Sequence, residues 1–346
     1  MRIKRRLPIF LAVLLVAAAV AFLVVLRKHA PPEPARLLPG ADGFAYINLD
    51  WIRRTKIIAE LPAVPHDPEY EQFIQETGFQ FERDLDQAAF AIHYPGSGAG
   101  DSQEARFSEV FVGKINGERL RAYLHKISGS VETYGSTDIY VIPLAGRTLR
   151  VAILGVDTVA ASNNNDPEVI RGIISRSRKL ASPFGGPALL RQYYKHVPLG
   201  SLAWAILRTG SSSDVALGSR PRGIDSSFLF SHPAVVVGSV RYLVSVHLRA
   251  EAFTGTEDAA RQVTEKIKTF LNLFGSAEIS VGSGSDPDVK KLFSSLKVEQ
   301  HKDRAVLTAQ VPTSFIRKLV AEAPNEVAPA PPPETPAPKT RKPVQK

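Results

Sequence analysis

The chain is predicted to be an α+β protein: an N-terminal transmembrane helix followed by two tandem repeats of antiparallel strands, with helices packed on one face. Three observations predict it. Leu7–Leu26 runs for twenty residues without one charge. Val244, Val246, Leu248 and Ala250 alternate with Ser245, His247, Arg249 and Glu251, the period of a strand with one wet face. An order of two strands and then a helix occurs in both halves, and repeats outrank single elements as evidence of architecture.

At about 1.5 Å per residue, a helix over 7–26 covers roughly 30 Å, the thickness of a bilayer's hydrocarbon core. Pro8 falls in the first turn, where its missing N–H matters least. A cleaved signal peptide is the competing reading, because Ala17-Ala18-Ala19 and Ala19-Val20-Ala21 have the small-x-small form of a cleavage site. Cleavage there leaves Phe22–Leu26 as an apolar new terminus, so an uncleaved anchor is expected. Arg2, Lys4, Arg5 and Arg6 precede the span and Arg27 and Lys28 follow it. The basic excess places the N-terminus in the cytoplasm and the bulk of the chain outside, in a bacterial inner membrane.

The net charge of +9 resembles a nucleic-acid signal until it is located. Residues 1–36 hold seven Lys/Arg against one Glu, and 324–346 hold four against two. The body between them is close to neutral, so no nucleic-acid partner is expected. The absence of Cys excludes disulfides, thiolate chemistry and lipoprotein attachment.

The expected organisation is a basic stub (1–6), the span (7–26), a stiff Pro-rich spacer (27–38), a first repeat (39–182), a linker helix (183–198), a second repeat (199–323) and a disordered tail (324–346). In the first repeat, strands 88–94 and 106–115 lead to a helix over 117–127. In the second, strands 234–240 and 242–253 lead to a helix over 255–274, whose Ala260, Val263, Ile267 and Phe270 form one stripe. A strand over 149–162 with its helix 167–180 is matched by a strand over 304–311 with its helix 313–321. The opening stretches 41–49 and 200–207 correspond as well. The repeats differ between these points: helices are expected around 52–61 and 68–77 in the first, a Ser/Gly-rich loop over 209–232 in the second.

No motif for catalysis stands out. The eight histidines never fall at metal-ligand spacing, and no metal or cofactor is expected. Ser294-x-x-Lys297 has the form of a Ser/Lys hydrolase pair but lacks its companion motifs. Gly96–Gly100 joins two strands rather than a strand and a helix, so it reads as a hairpin loop. Asp84/Asp86 and Asp286/Asp288 read as turn and cap residues. Trp51, Tyr193, Tyr194 and Trp204, with His247 and Arg249 on the wet strand face, are the candidate partner-binding residues, since such side chains are favoured at interfaces. Core packing is the competing role of the aromatics. Lys339, Arg341, Lys342 and Lys346 in the tail offer a second, electrostatic contact.

Pro39-x-x-Asp42-x-x-x-Tyr46, within Leu38–Leu49 and directly after anchor and spacer, resembles uncharacterised bacterial single-pass envelope proteins with α+β ectodomains. The resemblance implies an envelope setting and brings no catalytic residues with it. The expected function is a membrane-anchored extracytoplasmic binding or scaffold protein with an envelope protein or glycan as partner. The alternative is an envelope hydrolase whose site is assembled from His93, His247 and Glu251; a cytoplasmic body on an inverted anchor is a third reading.

Overall fold

Strand β1 (Gly43–Asn48) pairs on one side with β2 (Leu85–His93) and on the other with β8 (Ala203–Thr209). Beyond β2 the sheet continues through β3 (Arg106–Gly113), β7 (Thr158–Ser162), β6 (Arg147–Ile153), β5 (Thr137–Leu144) and β4 (Ser130–Tyr134). Beyond β8 it continues through β9 (Ala234–Tyr242), β10 (Val246–Phe253), β12 (Arg304–Val311) and β11 (Lys297–His301). This computed structural model describes residues 30–55, 66–94, 105–144, 146–179, 185–209, 229–281 and 287–321. The stub, the span 7–26, the Gly96–Gly100 loop, most of the Ser/Gly-rich loop and the tail lie outside the described residues.

The twelve strands form one antiparallel sheet, about 50 Å across at ordinary strand spacing. From the β1–β8 pair outward each half uses the same order: three successive strands, then the last strand of the half, then the one before it. The first half adds the hairpin β4–β5 at its rim. Residues 149–162, expected as one strand, are two, β6 and β7. The chain turns at Leu154–Asp157, with the Leu154 N–H donating to the Thr158 carbonyl at 2.9 Å.

The expectation of helices on one face is corrected. One face is covered by α1 (Glu33–Leu37), α6 (Glu168–Arg178) and α7 (Ala188–Tyr193). Their Leu37, Ile170, Ile173, Ile174, Leu189 and Leu190 pack with Phe44, Val110, Ala160 and Ile206. On the opposite face, Leu124 of α5 (Gly117–Ile127) meets Tyr140, Val151 and Val159. There too, Val263 of α8 (Glu257–Val281) meets Ala252 and Ala305. Neighbouring residues of a strand point to opposite faces, and in β7 Val159, Ala160 and Ala161 are all buried. Strands apolar on both sides need cover on both sides.

The spacer 27–38 is also corrected. It contains α1, and Ala35, Leu37 and Leu38 are buried in the main core. Proline in a first turn fits a helix start, so the prolines at 32 and 34 mark where α1 begins rather than an extended rod. Arg176 Nε donates to the Leu37 carbonyl at 2.6 Å and pins the segment to α6.

Candidate functional site

β10 forms where the alternation predicted a strand, but its faces are not divided as expected: Leu248 is exposed, and the polar side is covered at its end. Glu251 is 3% exposed. Its Oε1 accepts from Arg249 at 2.7 Å, and its Oε2 accepts from Arg304 Nη1 at 2.9 Å. One carboxylate thus stands between two guanidiniums, leaving a net positive trio. The same Arg304 Nη1 lies 3.3 Å from His196 Nδ1, in the one-turn 3₁₀ helix that follows α7. Burial lowers the His196 pKa below its ordinary value, outweighing the pull of Glu251. The imidazole is therefore neutral at pH 7, with Nδ1 accepting from Arg304 rather than pairing with Glu251 as a cation.

Tyr193, His196 and Phe253 pack ring against ring beside this cluster, at centroid distances of 5.2 Å for Tyr193–Phe253 and 4.5 Å for His196–Phe253. Arg304 sits over the Phe253 ring at 5.6 Å. These groups form the wall of a cleft of about 890 Å³ between the α7 segment and the ends of β8, β9, β10 and β12. Lys195, Arg208, Lys302 and Arg304 contribute to its lining, against one acidic residue, Asp303. The β11–β12 turn that carries Lys302 is held in place. The Thr254 N–H and Oγ1 both donate to the Asp303 carbonyl, at 3.1 and 2.9 Å, and Gln300 Nε2 donates to the Lys302 carbonyl at 3.2 Å.

The residues singled out from the sequence separate. Tyr193 lines the cleft. Tyr194 and Trp204 pack in the core at 5.3 Å from each other, and burial raises the Tyr194 pKa to about 12. Trp51 is exposed on α2 (Leu49–Arg54), whose first turn is capped by Asn48 Oδ1 accepting from the Trp51 N–H. His247 and Arg249 line a smaller hollow of about 280 Å³ with Arg241, Thr308 and Gln310. Composition marked none of Lys195, His196, Arg208, Lys302 or Arg304. They lie in three separate stretches of chain, and only the β8–β9–β10–β12 order gathers them.

The hydrolase residues are not brought together. His93 is on β2 and His247 and Glu251 on β10, with β9, β8 and β1 between, so about 19 Å separates them across the sheet. His93 Nε2 instead meets Ser108 Oγ at 3.1 Å, which meets Ser162 Oγ at 2.9 Å. Both serines are buried, out of reach of a substrate. Asp84 pairs with Arg83, Asp86 with Arg53, and Asp288 with Lys318. Ser294 Oγ donates to the Lys291 carbonyl, and Lys297 opens β11. Among the described residues no three His, Asp or Glu side chains converge on a metal position.

No family model matches the chain, and no curated protein does. The chain is similar to solved structures of TP0453. Crystal form III gives a TM-score of 0.48 at 11% identity, covering 84% of this chain and 98% of that one. Crystal form I gives 0.46 at 10% identity, covering 84% and 97%. Among the described residues no helix is long and apolar enough to cross a membrane.

Proposed function

We propose that the chain is a single-pass, membrane-anchored binding or scaffold protein of the bacterial envelope, its N-terminus in the cytoplasm and its sheet outside. The observation that carries the reading is the uncharged stretch 7–26 behind four basic residues. The burial of α1 adds a geometric consequence. Only about six residues separate Leu26 from the helix, so the body is held against the bilayer rather than on a stalk. A preformed cleft with convergent polar groups supports binding as the role, and no observation favours the hydrolase reading.

C-terminal fusions to alkaline phosphatase and to β-galactosidase in a bacterial host test the placement. Active phosphatase with inactive galactosidase is the expected result; the reverse, or recovery of the intact chain in the soluble fraction, overturns it. Crosslinking with mass spectrometry in the native membrane tests the role, with capture of an envelope protein or glycan expected.

A further inference from the structure

We propose that the cleft beneath the α7 segment is a binding site for an anionic saccharide, a sugar ring bearing carboxylate or phosphate oxygens. The proposal deepens the reading of the chain as a binding protein and does not depend on which side of the membrane the cleft faces.

Charge is the first ground. Among the described residues Lys195, Arg208 and Lys302 have no carboxylate partner, although they surround one concavity. Cations gathered in a concave site with low-dielectric walls focus their field into it. Arg304 adds a guanidinium whose countercharge, Glu251, is already shared with Arg249.

The second ground is backbone geometry. Lys302 has φ of 54°, the one positive value outside glycine among the described residues. It occupies the first loop position of the β11–β12 hairpin, which glycine favours when φ is positive there. Strained positions of this kind concentrate at ligand sites, and here one places a lysine in the lining of the cleft.

The third ground is the wall. Tyr193 and Phe253 give the cleft aromatic lining beside its cations, with Arg304 over the Phe253 ring, a combination suited to a ring that carries an oxyanion. A bare phosphate uses the cations and leaves the rings idle, whereas a neutral sugar does the reverse. The volume of about 890 Å³ suits a ligand of several rings.

The test is titration calorimetry on the full-length protein in detergent micelles, with tetragalacturonate, maltotetraose, inorganic phosphate and an eight-residue oligodeoxythymidine as probes. Tetragalacturonate is expected to bind at least tenfold tighter than the other three, and less tightly as salt is raised. Lys302→Gly and Arg208→Gln are each expected to weaken it at least tenfold, the scale of one charge-assisted hydrogen bond. Lys302→Gly relieves the positive φ, so its thermal midpoint should not fall and lost binding there is not lost folding. No binding of tetragalacturonate, equal binding of maltotetraose or phosphate, tighter binding of the oligonucleotide, or affinity unchanged in both variants overturns the proposal. None of these outcomes bears on the fusion results, so the two readings fail separately.

Discussion

Tyr46 and Trp204 stack across the β1–β8 seam, their ring centroids 5.6 Å apart and their planes at 20°. They are register partners on the first strand of each half. Trp204 is 4% exposed, and the Tyr46 hydroxyl donates to Gln87 Oε1 at 2.9 Å. The seam therefore joins the halves through an interior aromatic pair, not only through backbone hydrogen bonds. Trp204→Ala should lower unfolding stability by about 3–5 kcal/mol, the usual range for emptying a buried aromatic site. Because the core spans both halves, denaturant unfolding of the variant should remain one transition by fluorescence and by circular dichroism. Two separated transitions show instead that the halves fold independently.

Glu251 is the hub of the charged cluster, and its removal leaves Arg249 and Arg304 facing each other without a countercharge. Glu251→Gln should destabilise by about 2–4 kcal/mol, toward the lower end for a broken buried pair because both guanidiniums reach water. Chemical denaturation at pH 7 measures it. A loss under about 0.5 kcal/mol shows that solvent already screens the trio.

His93 predicts a loss of stability on the acid side. Burial lowers its pKa below the ordinary 6.5, and nearby Asp42 offsets this only in part. The unfolded chain therefore takes up a proton near pH 6.5 that the folded chain refuses, so stability is full above that pH and declines below it. His93→Asn should flatten the slope of stability against pH below about 6.5. Part of the slope should remain, because His196 is shifted the same way.

Glu109 predicts the opposite slope. It stands on β3 between Phe90 and Ala161 on the flanking strands, and burial raises its pKa above the ordinary 4.5. The folded chain keeps this proton to a higher pH than the unfolded one, so the contribution to stability declines as pH rises past 4.5. Glu109→Gln should raise the thermal midpoint at pH 7 and leave it nearly unchanged at pH 4. Equal midpoints at both values show that the carboxylate is well solvated.

Several elements were legible because their signal is local. The β10 alternation, the Pro68–Thr77 helix and the stripe of α8 each repeat within a few residues, and each forms where its period places it. The β4–β5 hairpin was missed although its two-residue Gly135-Ser136 loop, with Gly135 at φ 62°, carries a hairpin signal; the short strands on either side lack a clean alternation to go with it. The prolines before α1 mark a helix start and an extended spacer equally well. What separates the two is whether Ala35, Leu37 and Leu38 find a core to enter, and that core is assembled from segments spread along the chain, from Phe44 to Val237.

The candidate site was hardly legible. Of the six residues chosen from composition and periodicity, only Tyr193 lines the main cleft, because an aromatic that packs and one that binds read alike in a sequence. Periodicity of side chains and the sign of local charge are set by neighbours along the chain, so the sequence alone determined the α+β class, the apolar stretch 7–26 and the near-neutral body. The sharing of one sheet between the halves, its cover on both faces, and the gathering of Lys195, Arg208, Lys302 and Arg304 around one cleft were decided only by tertiary structure. They depend on which strands become neighbours, and pairing between distant segments leaves no mark on either segment by itself.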